Sequence, residues 1–246
     1  MFIPRVYYPH EMNEGVCLSL DKETSHYLCT VLRLSDGDKV IFFNGRGGEY
    51  EATLLADKKR SQANILTFHE LSRESPLELH LGQGLARPDR MDWVIQKATE
   101  LGVKSITPLI SANCGVKLPT DRTDKRILHW EKIAQSACEQ SGRTILPTIL
   151  APMTLATWSK QAFAGTSLYG DTVQGKALSS IPTQGAYRLA IGPESGWESR
   201  ETEQLRADGF TPFTLGPRIL RTETAGIVAL GILQGLFGDL GHTHHG

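Results

Sequence analysis

The chain has 246 residues, 40% of them hydrophobic and 22% charged, with 26 basic and 27 acidic side chains and a formal net charge of -1. That length buries a core without disulfide or metal staples, and the composition excludes a disordered, collagen-like or coiled-coil protein. The charge balance excludes a protein that holds naked nucleic acid by bulk electrostatics, but not an RNA enzyme with a local basic cleft.

Along the first 72 residues, short alternating runs predict strands at Val16–Leu20, Lys39–Phe43, Glu49–Leu55 and Ala63–Phe68. A helical turn or two is predicted over Ser25–Arg33, and the glycine loop 44–48 predicts a hairpin. Strands this short and regular imply a small barrel or sandwich. The polar stretch 72–76 ends in Pro76 and reads as a linker.

From Pro76 onward strand and helix alternate. Strands are predicted at Leu77–Leu81, Ser105–Ile110, Ser167–Tyr169, Leu189–Gly192 and Phe213–Leu215. Helices are predicted at Arg90–Leu101, Lys125–Ser141, Leu155–Phe163, Ser199–Ala207 and Thr224 to about Leu240. The alternation implies an open, mainly parallel α/β sheet. Residues 1–72 carry 8 basic and 10 acidic side chains and the remainder 18 and 17, so neither half has the charge of a general RNA binder.

Cys17, Cys29, Cys114 and Cys138 form no ligand knuckle and read as reduced thiols. Residues 1–5 have no signal-peptide pattern, and the apolar run Ala225–Phe237 is shorter than the ~20 residues of a membrane span. A cytoplasmic protein is expected. There is no GxxxxGKS loop, and Gly82-Gln83-Gly84 lacks the third glycine of a dinucleotide site. No metal is expected; His242, His244 and His245 read as a frayed tail.

Four segments carry the chemistry. Leu189–Trp197 runs an apolar strand into a Gly-Pro-Glu-Ser-Gly turn, and strand ends are where α/β sheets bind ligands. Thr214–Ala225 is a second strand end with a Gly-Pro bend; Arg221 and Glu223 stand at the mouth of an apolar helix, with Thr222 as its expected N-cap. Glu139-Gln140-Ser141-Gly142-Arg143 closes a helix, and Lys97–Val103 is helix surface plus a stop. Taken alone, each reads more readily as an ordinary turn, cap or helix surface. Two Gly-Pro bends at strand ends of one sheet favour a shared pocket.

Together, KATELGV (97–103), EQSGR (139–143), IGPESG (191–196) and LGPRILRTETA (215–225) resemble the RsmE family, the 16S ribosomal RNA uridine N3-methyltransferases of the SPOUT class. His26–Asp38 and Phe43–Ala52 look like that family's first domain, so the likeness covers nearly the whole chain. Ser195 stands where the family's turn usually has glycine, a change that strains the turn only if the position needs positive φ.

The resemblance implies a PUA-like β-barrel over residues 1–72 that helps hold RNA. It implies a SPOUT α/β methyltransferase domain over 76–246, with a deep trefoil knot. It implies S-adenosylmethionine as cofactor, held by Leu168 and Gly170, by Ile191, Gly192, Pro193, Glu194 and Gly196, and by Leu215, Gly216, Ile219, Leu220 and Arg221. A homodimer is implied, with 16S ribosomal RNA, in the assembled small subunit, as partner.

Methylating N3 requires loss of an imide proton and stabilisation of the charge left on the base. Arg143 and Arg221 are candidates for the positive group or for clamping a phosphate, and Glu194 and Glu223 for accepting the proton or hydrogen-bonding the base. Arg5, Arg33, Arg46, Arg87 and Arg143 are candidates for RNA contact. The alternatives are a ribose 2′-O-methyltransferase of the same class, a non-catalytic RNA-binding assembly factor, and a small-molecule α/β enzyme.

Overall fold

The computed structural model describes residues 3–57, 60–115 and 120–241. It divides into two compact units: residues up to Glu74 join with Cys138–Leu146, and Ser75–Ala137 with residues from Pro147 onward.

The first unit contains β1 (Arg5–Tyr7), β2 (Cys17–Ser19), α1 (Lys22–His26), a π-helical turn (Tyr27–Val31), β3 (Lys39–Phe43), β4 (Glu49–Leu55) and β5 (Gln62–His69). Alternation sorts the side chains: Val40 and Phe42, Ala52 and Leu54, and Ala63 and Ile65 turn inward to meet Val6, Leu20 and Leu28 in one apolar core. The strand order is β1-β3-β4-β5-β2, with β1 parallel to β3 and the other pairs antiparallel. By its hydrogen bonds the expected barrel is a five-stranded sheet with β1 and β2 at its edges. Asp21 caps α1 by accepting from the Thr24 amide at 2.8 Å.

Polar contacts tie Cys138–Leu146 into this unit, a grouping that a single division near residue 74 does not contain. The Tyr7 amide donates to Glu139 at 3.0 Å, Arg5 to the Arg143 carbonyl at 3.0 Å, and Arg73 to the Gly142 carbonyl at 3.1 Å.

The second unit contains β6 (Glu78–Gly84), α2 (Pro88–Glu100), β7 (Ser105–Ile110), α3 (Thr120–Ser141, whose last residues belong to the first unit), β8 (Thr148–Ile149), β9 (Met153–Thr154) and α4 (Leu155–Ser159). It continues through β10 (Thr166–Gly170), β11 (Lys176–Ala177), β12 (Ala186–Ile191), α5 (Ser199–Ala207), β13 (Thr211–Thr214) and α6 (Thr222–Phe237). The sheet order is β11-β13-β10-β12-β6-β7-β8, with β9 also on β7, and every pairing is parallel.

Both faces are covered, as a parallel sheet requires. Leu79, Leu81, Ile106, Leu168, Leu189 and Ile191 face one core, shared with α2, α3 and α6. Leu109, Tyr169 and Ala190 point the other way, towards Leu155 and Trp158 of α4 and Leu205 of α5. Among the described residues no helix is long and apolar enough to cross a membrane.

β6 extends past Leu81 through Gly82, Gln83 and Gly84. Glycine is a weak strand former, but here close packing demands it. A Cβ at Gly82 would lie 2.7 Å from the Trp158 ring, and one at Gly84 would lie 2.6 Å from the Pro193 nitrogen.

Candidate functional site

The neighbouring strands β13, β10 and β12 end on the same side of the sheet, and the chain that follows each lines a cavity of about 680 Å³. Its walls are Gly170–Val173, Ile191–Trp197, Phe213–Gly216 and Arg218–Thr222, joined by Arg90 of α2. This volume suits a small organic ligand. Ile191, Phe213 and Leu215 give it an apolar floor.

The loops are tied from behind. The buried Gln83 side chain donates to the Thr222 hydroxyl at 2.8 Å, and that hydroxyl donates to the Gly192 carbonyl. Thr222 therefore serves as a brace in the first turn of α6, and Arg221, not Thr222, holds the N-cap position. Ser195 donates to the Asn113 carbonyl at 2.9 Å, and its backbone does not need the left-handed region; Gly196, with φ 73°, does. Serine is unstrained in this turn and gains an anchor. Glu198 and Glu201 form a capping box at the start of α5, and Glu201 also accepts from the Ala112 amide at 2.8 Å.

Charge is distributed unevenly. Arg90 Nη1 lies 2.9 Å from Glu194 Oε1 and 3.6 Å from Glu223 Oε2. Glu223 Oε2 is buried without a hydrogen bond, as is Trp197 Nε1. Arg218 and Arg221 line the pocket and are exposed, with no ion pair or side-chain hydrogen bond among the described residues.

The structure brings Gly170, Ile191, Gly192, Pro193, Glu194, Gly196, Leu215, Gly216, Ile219, Leu220 and Arg221 to this one cavity. Leu168 does not line it: it lies two residues before the end of β10 and is fully buried in the core. Glu223 reaches the site through Arg90.

Two arginines depart from expectation. Arg143 belongs to the first unit, where its side chain is 5% exposed and its Nε and Nη2 grip the Glu74 carboxylate at 3.1 and 2.6 Å. Arg5 pairs with Glu49, and burial together with nearby Arg73 holds its guanidinium down to about 10. Both guanidinium groups are largely buried and ion-paired to a carboxylate within the first unit. Arg33, Arg46 and Arg87 are exposed, Arg46 beside Glu11 at 3.1 Å. His242, His244 and His245 lie outside the described residues.

Sequence reasoning missed Arg90, Gln83 and the 171–173 loop. A lone arginine in the first turn of a helix and a glutamine between two glycines carry no local signal. Only the fold brings them to the strand ends.

Comparison with known proteins completes the picture. A family model for the RNA methyltransferase domain matches residues 73–234, and one for the RNA methyltransferase PUA domain matches 20–66. A Buchnera aphidicola relative from Schizaphis graminum, ribosomal RNA small subunit methyltransferase E, is 36% identical over 97% of this chain and 98% of its own length. The chain belongs to the RsmE family. A Neisseria gonorrhoeae ribosomal RNA small subunit methyltransferase E, solved bound to S-adenosyl methionine, is 36% identical with a TM-score of 0.92 over 97% of this chain and 100% of its own. A Legionella pneumophila chain solved with bound SAM is 37% identical with a TM-score of 0.94, over 98% and 100%.

Proposed function

We propose that this protein transfers a methyl group from S-adenosylmethionine to N3 of a uridine in small-subunit ribosomal RNA, acting in the cytoplasm on the assembled subunit. The observation that carries the reading is the single cavity at three parallel strand ends, in a chain of the RsmE family. The residues present fit the cofactor: an apolar floor, backbone-rich walls, the orphaned Trp197 N–H, and two carboxylates against one nearby guanidinium suit a cationic nucleoside. Gly170, Ile191–Gly196 and Leu215–Arg221 would hold it. The bound cofactor supplies an electrophilic methyl carbon.

The chain's own residues do the rest. Glu194, on the cavity wall with 39% of its side chain exposed, accepts the imide proton; Glu223, 10% exposed, stands behind it against Arg90. Arg221 faces the base and stabilises the charge left on the ring. Arg33, Arg46 and Arg87 remain candidates for RNA contact because they are exposed. The unpaired base is the reachable target.

Two class features belong to the same reading. The trefoil knot is supported by the strands' sequence order β10, β12, β13 against their sheet order β13-β10-β12. The homodimer is supported by α6, which is apolar on every side and leaves Ile232 and Leu236 exposed one turn apart.

The test uses methyl-labelled donor and small ribosomal subunits lacking the modification. Labelled 3-methyluridine after digestion is expected. Label on a ribose hydroxyl, or donor binding with no transfer to any subunit RNA, overturns the reading. Equal labelling of protein-free RNA removes the assembled subunit from it.

A further inference from the structure

A cation in the first turn of a helix opposes the helix dipole, so Arg90 is misplaced by the local electrostatics of α2. Its side chain is nevertheless only 25% exposed and is aimed across the cavity. There one guanidinium meets two carboxylates from two other elements: Glu194 from the loop 192–197, and Glu223 from the first turn of α6. Glu223 Oε2 has no hydrogen bond, so this guanidinium is its close compensating charge. The other ties of the 192–197 loop are hydrogen bonds of Thr222 and Ser195. Among the described residues, the Arg90 fork is the loop's only ionic tie.

We propose that Arg90 is a positioning residue: it clamps the 192–197 loop to the start of α6 through Glu194 and Glu223 and so sets the width of the ligand cavity. The inference deepens the preceding reading and rests on it for the identity of the ligand. Removing the charge leaves two carboxylates facing each other with no cation between them. The loop then opens, and its amides lose protection before any ligand is added.

Hydrogen exchange on the ligand-free protein reads the clamp directly. In Arg90→Met, exchange at 194–197 is expected to rise about tenfold while Ser105–Ile110 of β7 stays unchanged; Arg90→Lys stays within about threefold of the parent. Calorimetry with S-adenosylhomocysteine is the second readout, with affinity about tenfold weaker in Arg90→Met and Arg90→Lys near the parent. In the ligand-free protein, Arg90→Met combined with Glu194→Gln exchanges at 194–197 no faster than Arg90→Met alone, because both changes cut the same tie.

Unchanged exchange at 194–197, additive losses of protection in the double variant, or a Lys variant as loose as the Met one overturns the proposal. Should Arg90→Met fail to fold, Glu194→Gln carries the test, with faster exchange at the same amides expected and unchanged exchange overturning it. If exchange rises as expected but the parent binds no S-adenosylhomocysteine, the clamp stands and the cofactor reading falls.

Discussion

Arg221 presents an exposed guanidinium to the cavity with no partner among the described residues, whereas Arg143 is enclosed with Glu74. The two were indistinguishable as letters, and the structure gives them opposite predictions. Arg221→Ala is expected to lower single-turnover methyl transfer by about 100-fold or more with an unchanged melting temperature. Arg143→Ala leaves Glu74 without its buried cation and is expected to cost about 3 kcal/mol in denaturant unfolding. Cys138 lies in the same cluster, where burial first, then Glu74 and Glu139, push its thiol up to about 11. The unfolded thiol titrates at about 9, so this contribution is intact below that pH and fades as pH rises towards 11. At pH 8 iodoacetamide should label exposed Cys17 and spare Cys138 until the protein is unfolded, as peptide mass mapping will show.

Elements were legible where the burial pattern was strong. Lys39–Phe43, Glu49–Leu55, Ser105–Ile110 and Ser199–Ala207 fold at the boundaries that alternation and capping predict. β1, with three residues, has no pattern of its own and exists only because β3 pairs with it in parallel. β8, β9 and β11 have two residues each and are likewise created by the sheet. The end of β6 was hidden because glycine argues against strand, and the reason for glycine lies across space. Gly84→Ala tests that reason. The new Cβ meets the backbone at 192–193, which cannot yield as a side-chain tip does. A lower melting temperature and about tenfold weaker S-adenosylhomocysteine binding are expected by calorimetry. Gly192→Ala differs, since its Cβ meets the Trp197 ring at 3.2 Å, a neighbour able to give way.

For the whole molecule, sequence carried the fold class and the strand-end pocket, while helix partners and strand order needed three dimensions. A helix apolar on all sides is stable in water only when its outer face is also covered. Leu236→Glu is expected to leave the fold intact, because Leu236 is 42% exposed, and, if the proposed homodimer forms through this face, sedimentation shows a dimeric parent and a monomeric variant. The grouping of Cys138–Leu146 with the first unit has a consequence for synthesis. The ribosome makes residues up to Glu74 before Cys138–Leu146, so the bonds of Arg5, Arg73 and Glu74 to Gly142 and Arg143 form only after that later segment has been added. At about 5–20 residues per second that is a wait of several seconds, with charged groups and a strand edge still open. The earlier of the two units to leave the ribosome is thus not completed until the later segment follows, and a nascent-chain protease assay should find it resistant only once that segment has emerged.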